Sequence, residues 1–327
     1  MNLTILDAAA VRRLLPMSDC IAVMRQAMVA VSQGSVNIPP RIVASLPDGS
    51  GYFFTMPGSA RHPALDGAKL LTLLPANPAA GRPTLQGVVL LFDHATGAPR
   101  ALIDGAEITA MRTAAASGLA TQLLARADAA SHGVLGIGVQ AGVHIDAIQV
   151  ARPGVAEVRV WGRDAARAQA FALAQSARTR LRVRAVPDAA EACACDIVSV
   201  VTGATQPVLQ GAWLQPGAHV NLVGAHQRTH READTAAITR SAVYVDLMAS
   251  ALSEAGDLLI PIGEGAFDST RIVGEIGQLA ANQVPGRTSE QQITLYKSLG
   301  VVAQDLYAAW ATLQRALAEG QGVTVPF

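Results

Sequence analysis

Apolar positions near the start of the chain recur at helical spacing. Ile21, Met24, Ala27 and Met28 mark one face of a helix over Ser18 to Gln33. After Pro39-Pro40 the texture changes. Arg41 to Leu46, Gly51 to Met56, Ala68 to Leu74, Gln86 to Asp93 and Pro99 to Asp104 are short β-compatible runs punctuated by Pro, Gly, Asn and Asp. They predict an antiparallel sheet. An Ala-rich run from Ala106 to Arg126 then predicts a long helix. From Gly133 onward, strand-like Val134 to Ile137, Glu157 to Trp161, Ile197 to Val201, His219 to Val223 and Ala242 to Asp246 alternate with helical patterns such as Gly142 to Val150 and Ala165 to Gln175. Such alternation predicts a parallel sheet covered by helices. The last stretch, Gln291 to Ala318, reads as helix and is too long to belong wholly to that sheet, so it is expected to return to the first domain.

A chain of 327 residues exceeds the size at which one core usually stops growing. We therefore expect two domains, residues 1–120 rejoined by residues 300–327, and residues 121–299. Half the residues are apolar and 15% are charged, which supplies large cores and argues against disorder. Lys plus Arg equals Asp plus Glu at 25 each, leaving no net field to recruit nucleic acid or an anionic membrane. A small soluble partner fits better. Met1 to Asp7 does not read as a secretion signal, and the longest apolar runs, such as Val88 to Phe92, are strand-sized, so a cytoplasmic protein without a membrane span is expected. Cys193 and Cys195 are too close for the usual zinc or redox spacings, and with Cys20 they read as buried free thiols.

The sharpest motif is Gly136-x-Gly138-x-x-Ala141, which follows an apolar strand and opens a helix. Gly136 permits a tight turn, Gly138 lets backbone approach a pyrophosphate, and Ala141 lets helix and strand pack closely. The phosphates would meet the free N–H groups and positive end of the helix. This context predicts a Rossmann-type, doubly wound dinucleotide-binding domain. The following strand ends Trp161-Gly162-Arg163-Asp164. An NAD site typically has an acid where Gly162 stands, to hold the adenosine ribose, whereas an NADP site offers Arg to the phosphate. Gly162 and Arg163 therefore favour NADP(H), with NAD(H) as the alternative, and Asp164 is expected to cap the next helix. Thr202-Gly203, just beyond a further strand, stand where the crevice outside such a sheet binds its ligand.

These residues, taken with Gly67-Ala68-Lys69, Pro83-Thr84-Leu85-Gln86-Gly87, Met111-Arg112-Thr113-Ala114-Ala115, Val223-Gly224-Ala225, Arg231-Glu232, Val245-Asp246, Glu254-Ala255-Gly256-Asp257 and Lys297-Ser298-Leu299-Gly300, resemble the ornithine cyclodeaminase and mu-crystallin family almost from end to end. The resemblance implies an α+β N-terminal domain for substrate binding and dimerisation, completed by C-terminal helices, beside the Rossmann domain. It implies a homodimer with the active site in the cleft between domains. Arg41 and Arg112 then look like the clamp for a substrate carboxylate, Lys69 like the catalytic lysine, and Thr84 like the site threonine, near both substrate and cofactor. Arg112, Thr113 at the start of the long helix, Gly136, Gly138, Val139, Gln140 and Ala141, and Ser298 with Leu299 at the nicotinamide, would meet the cofactor. The chemistry is consistent: a carboxylate beside the reacting carbon suits the planar fork of Arg, and a lysine in an apolar strand near arginines has a lowered pKa. On their own, Arg41 and Arg112 would read as surface ion pairs and Lys69 as a strand lysine reaching for solvent.

The cyclodeaminases carry Asp after the Val-Gly-Gly or Val-Gly-Ala turn, to handle the distal amine, and this chain has His226 there. Histidine can move a proton near neutrality but offers no permanent negative charge to an ornithine ammonium. His219 and His230 nearby lack acid ligands, and no metal is assigned. The reading is an NAD(P)H-dependent oxidoreductase acting on a small α-imino or α-amino acid, foremost a cyclic imine such as pyrroline-2-carboxylate or piperideine-2-carboxylate. Its rivals are ornithine cyclodeaminase itself and a non-catalytic NADP(H)-dependent binder of mu-crystallin type.

Overall fold

A computed structural model describes residues 2–327, which divide into one compact unit running to Arg112 and resuming over Val301–Phe327, and a second over Thr113–Gly300. Among the described residues no single helix is long and apolar enough to cross a membrane.

The first unit opens with β1 (Asn2–Leu6), α1 (Ala8–Leu14), capped by the Asp7 carboxylate on the Ala10 amide, and α2 (Met17–Ser32). Strands β2 (Val36–Asn37), β3 (Ile42–Ser45), β4 (Tyr52–Ala60), β5 (Leu65–Leu73), β6 (Leu85–Phe92) and β7 (Pro99–Asp104) follow. The sheet is antiparallel from β4 through β7, as the short, turn-punctuated runs predict, but β1 joins β7 in parallel and makes it mixed. Helix α3 (Gly105–Leu124) leads out of this unit and into the next.

The second unit contains β8 (Ser131–Leu135), α4 (Val139–Ala151), β9 (Glu157–Trp161), α5 (Ala165–Thr179), β10 (Arg182–Ala185), α6 (Ala189–Cys193), β11 (Ile197–Val200) and β12 (His219–Leu222). It continues through α7 (Thr235–Thr239), β13 (Ser241–Val245), α8 (Met248–Glu254), α9 (Gly256–Gly263), β14 (Ile272–Glu275), α10 (Ile276–Ala280) and β15 (Ile293–Lys297). The strand order β10-β9-β8-β11-β12-β15-β13-β14 is parallel throughout. Neighbouring residues on one strand enter opposite cores: Val134 and Ile197 pack on one side, Leu135 and Val198 on the other. Covering both faces in this way is what a parallel sheet needs. The chain builds outward from β8 through β9 and β10, then returns to β11 on the other side, so a topological switch lies between β8 and β11.

Helix α11 (Val302–Ala318) and β16 (Val323–Pro326) return to the first unit, where β16 pairs with β1 and α11 packs on β4, β5, β6 and α2. The expected helix over Gln291 to Ala318 is thus corrected: its first part is strand β15 and the loop Ser298–Gly300, and only the remainder is helix. The Ile293–Lys297 run is apolar and β-branched enough for a central strand, and periodicity alone does not separate a short buried strand from a helical turn. Strands β1, β2, β10, β14 and β16 also went unpredicted, because runs of two to five residues carry too little periodicity to stand out.

Candidate functional site

Lys69 occupies the middle of β5, with Met56 opposite on β4 and Val89 opposite on β6. Helix α11 reaches this strand because Gly58 and Gly67 are cross-strand partners with no side chain between sheet and helix. A Cβ on Gly58 would stand 2.5 Å from Val302 Cγ1, and one on Gly67 2.8 Å from Leu306 Cδ2 and 2.4 Å from the Leu90 carbonyl. That close approach brings Asp305 Oδ2 within 2.7 Å of Lys69 Nζ. Arg112, on α3, donates its Nε to Asp305 Oδ1 at 2.9 Å and its Nη1 to Gln304 Oε1 at 2.7 Å. Lys69, Asp305 and Gln304 are fully buried and Arg112 nearly so. Burial brings the Lys69 ammonium down to about 7; the Arg112 charge pushes the same way, Asp305 resists, and Arg41 adds a smaller downward push. Arg41 immediately precedes β3, in line with Met56 and Lys69 across the ladder. The result is a lysine poised to gain or lose a proton near neutrality beside arginines that can receive an anion.

The second candidate region lies at the carboxyl ends of the strands flanking the switch point. A crevice of about 560 Å³ is lined by Gly136 and Gly138 after β8, Gly162 and Arg163 after β9, and Thr202 and Gly203 after β11. Gly136 adopts φ +122°, and a Cβ there would meet the Val201 carbonyl at 2.7 Å, so the turn requires glycine. Gly138 is the N-cap of α4 and offers no side-chain cap, while a Cβ added to it would meet nothing within 4 Å. The first amides of α4, from Val139 and Gln140, precede the first intrahelical bonds and remain available to phosphate. Gln140 Oε1 is buried without a hydrogen-bond partner, and Ala141 packs fully buried against the sheet. The Val139 and Gln140 amides and the open backbone at Gly138 fit the diphosphate of a dinucleotide. Where Gly162 and Arg163 line the crevice, Asp164 Oδ1 accepts the Arg167 amide at 3.0 Å, so the acid that lines that part among the described residues serves as a helix cap. Arg163 and Arg167 carry exposed guanidinium groups that have no ion pair among the described residues.

The remaining expected residues fall out as follows. Arg41, Lys69 and Arg112 are brought together. Thr84 is not part of their hydrogen-bonded cluster: its carbonyl accepts from the Leu74 amide, just past the end of β5 and five positions from Lys69, or about 17 Å at the usual strand rise. Thr113 lies well inside α3 rather than at its start, because the helix already begins at Gly105. His226 follows β12, with its Nδ1 3.1 Å from the Gly224 carbonyl. A carbonyl can only accept, so this nitrogen carries a proton. Ser298 and Leu299 lie in the loop after β15, whose Leu299 and Gly300 amides donate to Asp246 Oδ2 at 2.7 and 2.6 Å. Asp305 and Gln304 were missed. Their signal was present: they are adjacent polar residues in the otherwise apolar run from Val301 to Ala309, where a carboxylate needs a buried partner.

The sequence profile of the ornithine cyclodeaminase/mu-crystallin family matches residues 1–320. A Delta(1)-pyrroline-2-carboxylate reductase from Bacillus cereus (strain ZK) is 32% identical over 325 residues, covering 99% of both proteins. The structure of Thermococcus litoralis Delta(1)-pyrroline-2-carboxylate reductase in complex with NADH and L-proline superposes with a TM-score of 0.95 at 33% identity, over 98% of this chain and 100% of that one. An archaeal alanine dehydrogenase dimer with bound NAD superposes with a TM-score of 0.92 at 27% identity over the whole of both chains. With the profile matched over nearly its full length, this chain belongs to the ornithine cyclodeaminase/mu-crystallin family.

Proposed function

We propose that the protein is an NADPH-dependent reductase of small cyclic α-imino acids, with pyrroline-2-carboxylate or piperideine-2-carboxylate as substrate. The observation that carries this reading is Lys69, buried between Asp305 and Arg112 with its pKa brought down to about 7. Arg41 and Arg112 take the substrate carboxylate. Arg112 has its Nε and one Nη1 bond committed to Asp305 and Gln304, which fixes the plane of its fork. Lys69 gives its proton to the imine nitrogen as the α-carbon is reduced, and Asp305 holds the ammonium in place. The reduced nicotinamide supplies the hydride to that carbon when bound. In the reverse direction neutral Lys69 takes the proton from the amino acid nitrogen.

Two relatives that the chain covers almost completely are pyrroline-2-carboxylate reductases, which supports the substrate class. His226 in place of the cyclodeaminases' Asp supports reduction over ornithine cyclisation. The NADPH preference rests on Arg163 and Arg167 beside the crevice, with Gly162 where an NAD site has its acid. Relatives bound to NADH and NAD make NADH the alternative. A homodimer is supported by the relative solved as a dimer, and by Ile42, Val43, Tyr52 and Phe53, apolar and exposed on β3 and β4.

A panel of cyclic imino acids, ornithine, alanine and arginine, each assayed with both nicotinamides, tests the assignment. Fastest turnover of a cyclic imino acid with NADPH is expected. Faster release of ammonia and proline from ornithine would replace the reading with cyclodeaminase.

A further inference from the structure

Glu232, Asp257 and Lys297 stand in the sequence patterns noted above, yet they lie in the second unit and take no part in the Lys69 cluster. All three are fully buried. Lys297 Nζ donates to the Ala225 carbonyl at 2.6 Å and pairs with Asp257 Oδ2 at 2.9 Å. Asp257 Oδ1 accepts the backbone amides of Glu232 at 2.7 Å and Ala233 at 3.1 Å. The Glu232 carboxylate accepts four hydrogen bonds in turn. Its Oε1 receives the Thr202 amide at 2.8 Å and the Thr202 hydroxyl at 2.6 Å, and its Oε2 receives the Gly224 amide at 2.5 Å and the Ala225 amide at 3.0 Å.

Those donors belong to the loops that leave the carboxyl ends of adjacent strands β11 and β12. Thr202 and Gly203 are walls of the dinucleotide crevice. Gly224 is pressed against the same loop: a Cβ there would lie 2.1 Å from the Thr202 carbonyl and 2.5 Å from Glu232 Oε1. One buried carboxylate thus ties together two loop tips whose spacing defines part of the crevice.

We propose that Glu232, itself oriented by Asp257 and offset in charge by Lys297, is a positioning residue for the nicotinamide cofactor, holding the Thr202 and Gly224 loops at the spacing that the dinucleotide requires. The inference rests on the assignment of a nicotinamide cofactor to this crevice. Three of the four partners are backbone N–H groups, which cannot accept, so the ionised carboxylate takes all four bonds as they stand, whereas a protonated one must turn the Thr202 hydroxyl bond around and loses the charge that strengthens the other three. Burial raises the Glu232 carboxyl to about 7; Lys297 opposes the rise, Asp257 adds to it, and the Thr202 bonds oppose it. Asp257 and Lys297 are the charged groups acting on it. Cofactor affinity therefore weakens as pH falls through neutrality and Glu232 takes up a proton.

Calorimetric titration with NADH, without imino acid, tests this between pH 6 and pH 8.5. NADH has no phosphate monoester to titrate in that range. A carboxyl at about 7 that must be ionised for binding predicts a dissociation constant about tenfold weaker at pH 6 than at pH 8. Glu232→Gln, which keeps the side-chain shape, should bind about tenfold more weakly at pH 8 and show no such pH dependence. Binding by Glu232→Gln equal to the parent's, with only a lowered Tm, would overturn the positioning role. The parent protein's pH series needs no variant, and a flat dissociation constant there would overturn the pH dependence, leaving the positioning role to be decided by Glu232→Gln. Failure to bind NADH or NADPH at any pH would instead overturn the cofactor assignment itself.

Discussion

Asp305→Asn removes the anion shared by Lys69 and Arg112 while preserving shape. Both cations are buried, at 2.7 and 2.9 Å from the carboxylate, so neither can turn to water. Leaving buried charge without its partner costs about 3 to 5 kcal/mol. At roughly 2 to 4 °C per kcal/mol for a domain of this size, the Tm should fall by about 6 to 20 °C. Lys69 has an escape that Arg112 lacks, since it can shed its proton. Asp305 is what holds its pKa up against burial and Arg112, so the variant's Lys69 titrates below the parent's value of about 7. The sign follows from linkage. A lysine whose folded pKa lies below its unfolded value binds fewer protons when folded, so stability gains as pH rises from about 7 toward 10.5. The variant's Tm deficit should therefore be larger at pH 6 than at pH 9. In catalysis, reduction needs protonated Lys69, so the parent's rate should fall above about pH 7 and that of Asp305→Asn should begin falling at lower pH. A Lys69 pKa lower by about one cuts the protonated fraction at alkaline pH roughly tenfold. Stopped-flow reduction of pyrroline-2-carboxylate across pH 5.5 to 9, with calorimetric melting at the same pH values, reads both effects. An unchanged pH profile, or one displaced toward alkaline pH, would refute the proton-donor role built on this cluster.

Other expectations follow from separate features. Arg163→Ala should weaken NADPH binding by about 1.5 to 3 kcal/mol while leaving NADH nearly unchanged, as measured by fluorescence titration; equal losses would contradict the phosphate-site reading. Gly67→Ala places a methyl against the Leu90 carbonyl and Leu306, so it should lower both Tm and imine reduction by displacing α11 and Asp305. A Tm within a degree of the parent's would show that the helix does not depend on that contact. Sedimentation should give twice the chain mass, and charged substitution of Val43 and Phe53 should yield monomer; a parent monomer at micromolar concentration would contradict the dimer.

Much of this architecture was written in local patterns. The short β-compatible runs before Asp104 marked β3, β6 and β7 to within a residue and β4 and β5 to within four, and the glycine turn at Gly136 was legible because strand, turn and helix each carry their own signal. Lys69 and Arg112 could be chosen only by resemblance, since a lone strand lysine and a helix arginine look like ordinary surface residues. What makes them reactive is Asp305, nearly two hundred positions later than Arg112, and no local pattern encodes a contact so distant. The same limit hid β15. Its strand identity comes from pairing between β12 and β13, and its own apolar run is equally compatible with a helix. The Glu232 network was visible only as isolated polar letters, because its bonds run to loops on other strands.

The most direct test of the central claim follows the hydride and its dependence on Lys69 together. Pyrroline-2-carboxylate is incubated with NADPH carrying deuterium at the transferable position, and the proline formed is analysed by mass spectrometry. The account predicts one deuterium at the α-carbon of proline, formed rapidly by the parent protein and at least a hundredfold more slowly by Lys69→Met, a loss of about 2.7 kcal/mol in transition-state stabilisation. Deuterated proline formed at the parent's rate by a folded Lys69→Met protein, or no proline from the parent, would contradict it.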